Sequence, residues 1–256
     1  MMIGLFDSGL GGLAVARALR MLLPAHDLLY LADSAHCPYG PQPIKQVRAR
    51  ALACSQWLVA QGARVVVVAC NTATSAALEQ LRAALTVPVV GMEPGVKPAV
   101  AATRSGRVAV LATSGTLGGE RFARLVARFA AQIEVRTVAC PGMVQLVEAG
   151  TLTGPTAQAV VSGYVAPLAA QGFDTLVLGC THFPPLRPLI AAAAPAATII
   201  DTGPAVAAQT ARVAQQVGVP VGAGALRCAT TGDPARVAPA LARVWGEVLL
   251  VEQARW

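Results

Sequence analysis

Short apolar runs alternate along this chain with alanine-rich stretches in which polar and charged residues recur at helical spacing. Ile3–Phe6, Asp27–Ala32, Arg64–Ala69, Val87–Val90, Arg107–Ala112, Ile133–Ala139 and Asp174–Leu178 read as strands. Between them Gly11–Leu22, Ile44–Gln61, Thr72–Ala84, Thr116–Ala130 and Thr156–Gln171 read as helices. The strand runs are apolar on both faces, and the intervening segments are long enough for crossover helices. That combination predicts an α/β protein whose sheets are mostly parallel and flanked by helices on both sides.

Two segments share one design. Arg64-Val-Val-Val-Val-Ala-Cys70-Asn71-Thr72 and Asp174-Thr-Leu-Val-Leu-Gly-Cys180-Thr181-His182 are each an apolar strand ending in a cysteine and small polar residues. In both, a Gln-Gly pair (Gln61-Gly62, Gln171-Gly172) closes the preceding helix, where glycine serves as a C-cap. The repetition predicts two similar α/β lobes with the active site between them. The first takes residues 1–93 plus 205–256 and the second 94–204, the chain returning near Asp201-Thr202-Gly203-Pro204.

Composition narrows the class. The chain has 256 residues, 55% of them hydrophobic and 13% charged, which fits buried strands and excludes a disordered polymer. No apolar run is long enough for a membrane span, and the start, Met1-Met2-Ile3-Gly4, lacks the pattern of a secretory signal, so a cytoplasmic location is expected. The net charge of +7 rests on scattered arginines, with only Lys45 and Lys97 as lysines, and reads as a solvated surface rather than a nucleic-acid site. Six cysteines without a C-x-x-C pair read as free thiols.

Ligands of parallel sheets bind at the carboxyl ends of the strands. Four polar clusters fall there: Asp7-Ser8-Gly9; Asp33 with Pro38-Tyr39-Gly40; Cys70-Asn71-Thr72; and Cys180-Thr181-His182. A cysteine at a strand-to-helix junction is expected to favour its thiolate, because the exposed N–H groups and helix dipole lower a thiol pKa of about 8.5. His182 is placed to hold the Cys180 proton and Asp7 to assist Cys70. Helix starts with Asn71, Thr72, Thr181 and Ser8 suit a substrate bearing carboxylates, although such residues also cap helices with no ligand present. Cys54, Cys140 and Cys228 lack this context and read as core residues; Cys37, beside Pro38-Tyr39-Gly40, is left open.

Taken together, Phe6-Asp7-Ser8-Gly9-Leu10-Gly11-Gly12, Ala32-Asp33 with Pro38-Tyr39-Gly40, Cys70-Asn71-Thr72-Ala73-Thr74, Gly91–Ala99 and Gly179-Cys180-Thr181-His182-Phe183-Pro184 resemble the glutamate racemases of the aspartate/glutamate racemase superfamily. The resemblance implies cofactor-independent exchange of L- and D-glutamate by two thiols, in bacteria that need D-glutamate for peptidoglycan, and a homodimer. It implies Cys70 as the base for D-glutamate and Cys180 as the base for L-glutamate, with Asp7, His182 and Glu148 assisting. It also implies Ser8, Asp33, Pro38, Tyr39, Gly40, Asn71, Thr72, Thr113, Thr116 and Thr181 as the substrate-binding set. Gly119 and Phe122 stand where the family often has serine and tyrosine, and Gln42 and Pro43 where it usually has a basic residue and serine.

Other readings stay open at this level. Racemisation of aspartate or another amino acid is the nearest. Gly9-Leu10-Gly11-Gly12-Leu13-Ala14 also fits the G-x-G-x-x-A phosphate loop of a dinucleotide-binding oxidoreductase, with Asp33 about 20 residues on, but that reading leaves both cysteine segments unexplained. A non-catalytic amino-acid-binding module is a further alternative. Pyridoxal phosphate needs a lysine in a phosphate-binding context, which neither lysine has, and His26, His36 and His182 show no metal-ligand spacing, so neither cofactor nor metal is expected.

Overall fold

The computed structural model describes all 256 residues. In chain order the elements of the first stretch are β1 (Met2–Asp7), α1 (Leu13–Leu22), β2 (Leu28–Ala32), α2 (Ile44–Ala60), β3 (Ala63–Val68), α3 (Asn71–Ala84) and β4 (Val89–Gly91). There follow α4 (Val96–Ala102), β5 (Arg107–Ala112), α5 (Ser114–Leu117), α6 (Glu120–Phe129), β6 (Glu134–Ala139), α7 (Pro141–Glu148), α8 (Gly154–Ala170) and β7 (Thr175–Gly179). The last are α9 (Arg187–Ala193), β8 (Thr198–Asp201), α10 (Gly203–Gln216), β9 (Leu226–Thr230), α11 (Pro234–Trp245) and β10 (Val251–Gln253).

These strands form two sheets, both wholly parallel. The larger has the order β10-β9-β2-β1-β3-β4 and the smaller β6-β5-β7-β8. Strands β1, β2, β3, β5 and β7 are almost completely buried, as sequences apolar on both faces require. Register carries the chemistry to one level. Asp7 pairs with Ala32 across β1 and β2, and Phe6 with Val68 across β1 and β3, so Asp7, Asp33 and Cys70 all emerge at the same edge. In the second sheet Ala112 pairs with Gly179, which sets Thr113 beside Cys180.

The two lobes share one continuous apolar core, with Ile3, Leu5 and Leu28 of the first sheet in the same cluster as Leu111, Leu176 and Phe183 of the second. Helix α10 packs on α1 and β3 of the larger sheet. The expected glycine caps are present, with Gly62 and Gly172 at φ of 92° and 81°, a region costly for other residues.

Three local expectations need correction. The helix anticipated over 116–130 is two helices, because Gly118-Gly119 breaks it and Thr113 caps the short α5, its side chain accepting from Thr116 N. Cys180 does not open a helix directly. A 3₁₀ turn, Pro184–Leu186, intervenes before α9. Elements α4, α7, α9, β8, α10, β9, α11 and β10 escape the periodicity reading. Many are short or Pro-containing, and β8 has no fully buried residue to mark it. No helix is long and apolar enough to cross a membrane.

Candidate active site

Cys70 and Cys180, one at the end of a strand in each sheet, line the same small, nearly closed cavity. Ser8, Pro38, Tyr39, Gly40, Asn71, Thr72, Thr113, Thr181 and His182 complete its polar wall, and Val144 supplies an apolar patch. The cysteines are 3% and 5% exposed. Asn71 is buried with both amide atoms lacking any partner, an arrangement that costs free energy unless a ligand supplies the missing bonds. A larger groove lies outside α3, between Arg48 and Arg124, but it carries neither cysteine.

The two thiols have different surroundings. Cys70 caps α3, its sulfur accepting from Ala73 N at 3.5 Å. Its S–H reaches Ser8 Oγ at 3.9 Å, and Ser8 Oγ lies 3.5 Å from Asp7 Oδ1. Burial, and then the Asp7 charge, push the Cys70 thiol well above its ordinary pKa; the Ala73 N–H opposes this and loses. The expectation of a depressed thiol at this helix start is therefore corrected, because complete burial outweighs one N–H and a dipole. Asp7 is itself raised, by burial, with the His182 charge and the Gly12 N–H bond (2.7 Å) working against the shift.

On the other side, Cys180 Sγ stands 3.7 Å from His182 Nδ1. The far nitrogen of that ring, Nε2, is 2.6 Å from Glu148 Oε1, and the same oxygen accepts from Leu10 N at 2.7 Å. Burial disfavours an imidazolium at His182, yet bonds to Cys180, Cys37 and Glu148 outweigh it and raise the pKa well above the usual value. Burial would raise Glu148, but the His182 bond outweighs it and leaves the carboxyl lowered. Glu148 ends α7 and crosses to the β1–α1 loop, so it ties His182 to the other lobe.

That loop is shaped by its glycines. A Cβ at Gly11 would lie 2.5 Å from His182 Nδ1, and one at Gly9 would collide with the Glu148 carboxylate. The space a dinucleotide pyrophosphate would need over this loop is filled by His182 and Glu148, which removes the phosphate-loop reading.

Two members of the expected set do not line the cavity. Asp33 is fully buried behind it, accepting from Tyr39 OH (2.5 Å), Thr231 Oγ1 (2.7 Å) and Arg50 Nε and Nη2 (3.0 and 2.8 Å). Burial opposes its ionisation, but Arg50, Tyr39 and Thr231 together lower its pKa. Thr116 sits one layer back, bonded to Thr113 Oγ1 (3.0 Å) and Thr72 Oγ1 (3.3 Å). Thr72 and Thr113 meet at 2.8 Å, and Ser114 Oγ donates to Gly40 O at 3.0 Å, so loops of both lobes close over the mouth. Val144, which carries no spacing signal, and the close approach of Gly9 and Gly11 to Glu148 and His182 escape the sequence reading, which offers those glycines only as a rival phosphate loop; Cys37, left open there, lies beside His182 and Glu148.

This frame, two α/β lobes with a buried thiol from each on one cavity, goes with a match of residues 11–210 to the family model described as Asp/Glu/Hydantoin racemase. The chain belongs to this family, on its glutamate racemase branch. It is 50% identical to the glutamate racemase of Roseiflexus sp. (strain RS-1), a match covering 98% of this chain and 95% of that protein. Among solved structures it is similar to the glutamate racemase of Thermus thermophilus in complex with β-chloro-D-alanine (TM-score 0.83, 38% identity, 98% of this chain and 96% of that one). It is also similar to the Escherichia coli glutamate racemase in complex with L-glutamate and the activator UDP-MurNAc-Ala (TM-score 0.88, 30% identity, 99% and 98% covered).

Proposed function

We propose that this protein interconverts L- and D-glutamate by two-thiol proton transfer without a cofactor, supplying D-glutamate for bacterial peptidoglycan from the cytoplasm. The observation that carries the reading is that one cysteine from each lobe opens on a single cavity, with a different proton partner behind each. In the L-to-D direction Cys180, its proton passed to His182, takes the α-proton as a thiolate. The Cys70 thiol then delivers its proton to the opposite face of the carbanion. In the reverse direction Cys70 takes the proton and Cys180 gives one. Glu148 holds the His182 ring, and Asp7 holds the protonated state of Cys70 through Ser8. The high Cys70 pKa fits the donor's part in the first direction and a strong base in the second.

Ser8, Asn71, Thr72, Thr113 and Thr181, with the N–H groups at the start of α3, are the donors for the carboxylates, where the negative charge of the carbanion spreads. Pro38, Tyr39 and Gly40 form the wall that closes on the side chain, and Asp33 and Thr116 position that wall and the threonine loop. Neither Lys45 nor Lys97 lines the cavity, so no lysine is at hand for a Schiff base. We take the lobes as 1–93 plus 205–256 and 94–204, and the working unit as a homodimer.

The test is exchange in D2O, followed by NMR at Cα and by circular dichroism. The wild type incorporates deuterium from either glutamate enantiomer and does so far faster than from aspartate. Cys70→Ala and Cys180→Ala each abolish racemisation. Near-normal turnover in either variant would overturn the two-thiol assignment, and faster turnover of aspartate would overturn the substrate.

A further inference from the structure

One thiol at the site carries no proton in the transfer scheme, although it bonds to His182. Cys37 follows the 3₁₀ turn Ser34–His36 of the first lobe and is half-buried. Its sulfur, a ring nitrogen of His182 and a carboxylate oxygen of Glu148 all lie within 4.8 Å of one another. These are three ligand types from three separate segments, two loops and the end of α7, and the set Cys/His/carboxylate is one that borderline-soft divalent cations prefer. We propose that Cys37, Glu148 and His182 form an inhibitory binding site for a zinc-like divalent cation.

The geometry is close to what such an ion requires. Zinc binds sulfur at about 2.3 Å and nitrogen or oxygen at about 2.0–2.2 Å, which sets tetrahedral ligands roughly 3.3–3.8 Å apart. Drawing in a spacing of up to 4.8 Å and opening the 2.6 Å His182–Glu148 pair calls for side-chain movements of about 1 Å, within reach of the Cys37 and Glu148 rotamers. The His182 Nε2 to Glu148 Oε1 bond of 2.6 Å is where the cation enters, displacing the proton the two atoms now share. Glu148 is 24% exposed, which gives the ion a route in. The fourth position is left to water.

Occupancy stops the enzyme by removing a proton acceptor. A metal on Nε2 leaves the remaining ring proton on Nδ1, the atom 3.7 Å from Cys180 Sγ. His182 then no longer takes the Cys180 proton, and Glu148 no longer orients a free ring. This consequence rests on the proposed racemase chemistry; the binding itself does not, and the experiment reads the two separately.

Cobalt(II) titration reports binding without turnover, through the near-ultraviolet charge-transfer band of a thiolate–cobalt bond. The wild type shows one equivalent with that band, and zinc chloride both displaces the cobalt and inhibits racemisation, reversibly with chelator. Cys37→Ser and Cys37→Ala lose the band, weaken zinc binding by more than about 100-fold, beyond what loss of an outer-shell partner costs, and racemise at one rate whether or not zinc is present, whatever that rate is relative to wild type. A Cys70→Ala/Cys180→Ala double variant, inactive by design, keeps the band. If the Cys37 variants keep the band and the inhibition while the double variant loses the band, the ion sits on the catalytic thiols and the proposal is overturned. Absence of any stoichiometric binding to the wild type overturns it too. A chain that binds one cobalt through Cys37 yet racemises nothing keeps the site and refutes the activity.

Discussion

Gly11→Ala tests how the site is held together. The added Cβ would lie 2.5 Å from His182 Nδ1 and 2.6 Å from the His182 backbone nitrogen, whereas ordinary contact begins at 3.4 Å. The ring can turn away, but the backbone nitrogen cannot, so the β1–α1 loop or the Cys180–His182 turn must retreat by about 0.8 Å; a displacement near 1 Å at reacting groups costs about 100-fold in rate. Overpacking of this kind costs about 1–3 kcal/mol of stability. The retreat also stretches the 3.7 Å approach of Nδ1 to Cys180, which is already at the long end for a sulfur contact. Circular dichroism at a glutamate band then shows kcat/KM down by about 100-fold in both directions, and urea unfolding shows the smaller stability loss. Gly9→Ala is the internal control. There the new Cβ meets the end of the flexible, part-exposed Glu148 side chain, which can withdraw, so unfolding moves less than for Gly11→Ala while activity still falls. A Gly11→Ala enzyme with kcat/KM within about threefold of wild type refutes the claim that this glycine sets the His182 position.

Arg50→Ala leaves the fully buried Asp33 without its cation, and should cost about 3 kcal/mol in urea unfolding and raise KM as Asp33, the acceptor of the Tyr39 hydroxyl, shifts or takes up a proton; an unchanged midpoint would contradict the network. Glu148→Gln removes a charge-assisted bond of about 1.5–3 kcal/mol. Because His182 is raised from 6.5, its contribution is complete below that pH and fades as pH rises through the folded value. Glu148 is lowered from 4.5, so its contribution is complete above that pH and fades on acidification. The stability gap between wild type and Glu148→Gln is therefore widest between pH 4.5 and 6.5, and urea midpoints across pH that show a flat gap would exclude the pair. Asp7→Asn should act with opposite signs. A buried carboxyl with a raised pKa opposes folding when ionised, so the variant unfolds at higher urea at pH 7 while racemisation drops by about 100-fold; a variant both less stable and fully active would refute both roles.

Much of this was legible in the sequence because burial on both faces writes itself as unbroken apolar runs. β1, β3, β5 and β7 fall within a residue or two of where Ile3–Phe6, Arg64–Ala69, Arg107–Ala112 and Asp174–Leu178 put them. The cysteine clusters at their ends followed from topology alone. Electrostatics did not. That Cys70 is raised instead of lowered depends on how much chain covers it, and Asp33 looks the same in sequence whether it faces a ligand or Arg50. Helix α7 went unseen, so Glu148 rested on resemblance. Its meeting with Leu10 and His182 spans 138 and 34 positions, respectively, which no local pattern encodes.

The two halves match in design but not in chemistry, and the difference has a physical origin. In the first, the cysteine caps a full helix and its acid lies on the adjacent strand β1, so proton control comes from a buried carboxyl behind a serine. In the second, the chain makes a tight turn directly after Cys180, closed by Phe183 N donating to Cys180 O, which sets His182 beside the sulfur and lets Glu148 reach its far nitrogen. A carboxyl raised toward neutrality and an imidazole raised toward its cation both hold protons next to a thiol, and both would hold them less firmly with the lobes parted. Opening would hydrate Asp7 and restore its ordinary acidity. It would also break the Leu10–Glu148 link and lower His182, since the bonds that raise it come partly from across the cleft. On the proposed two-thiol chemistry, closure would set both proton carriers, and the Gly40–Ser114 contact across the mouth would belong to the same event.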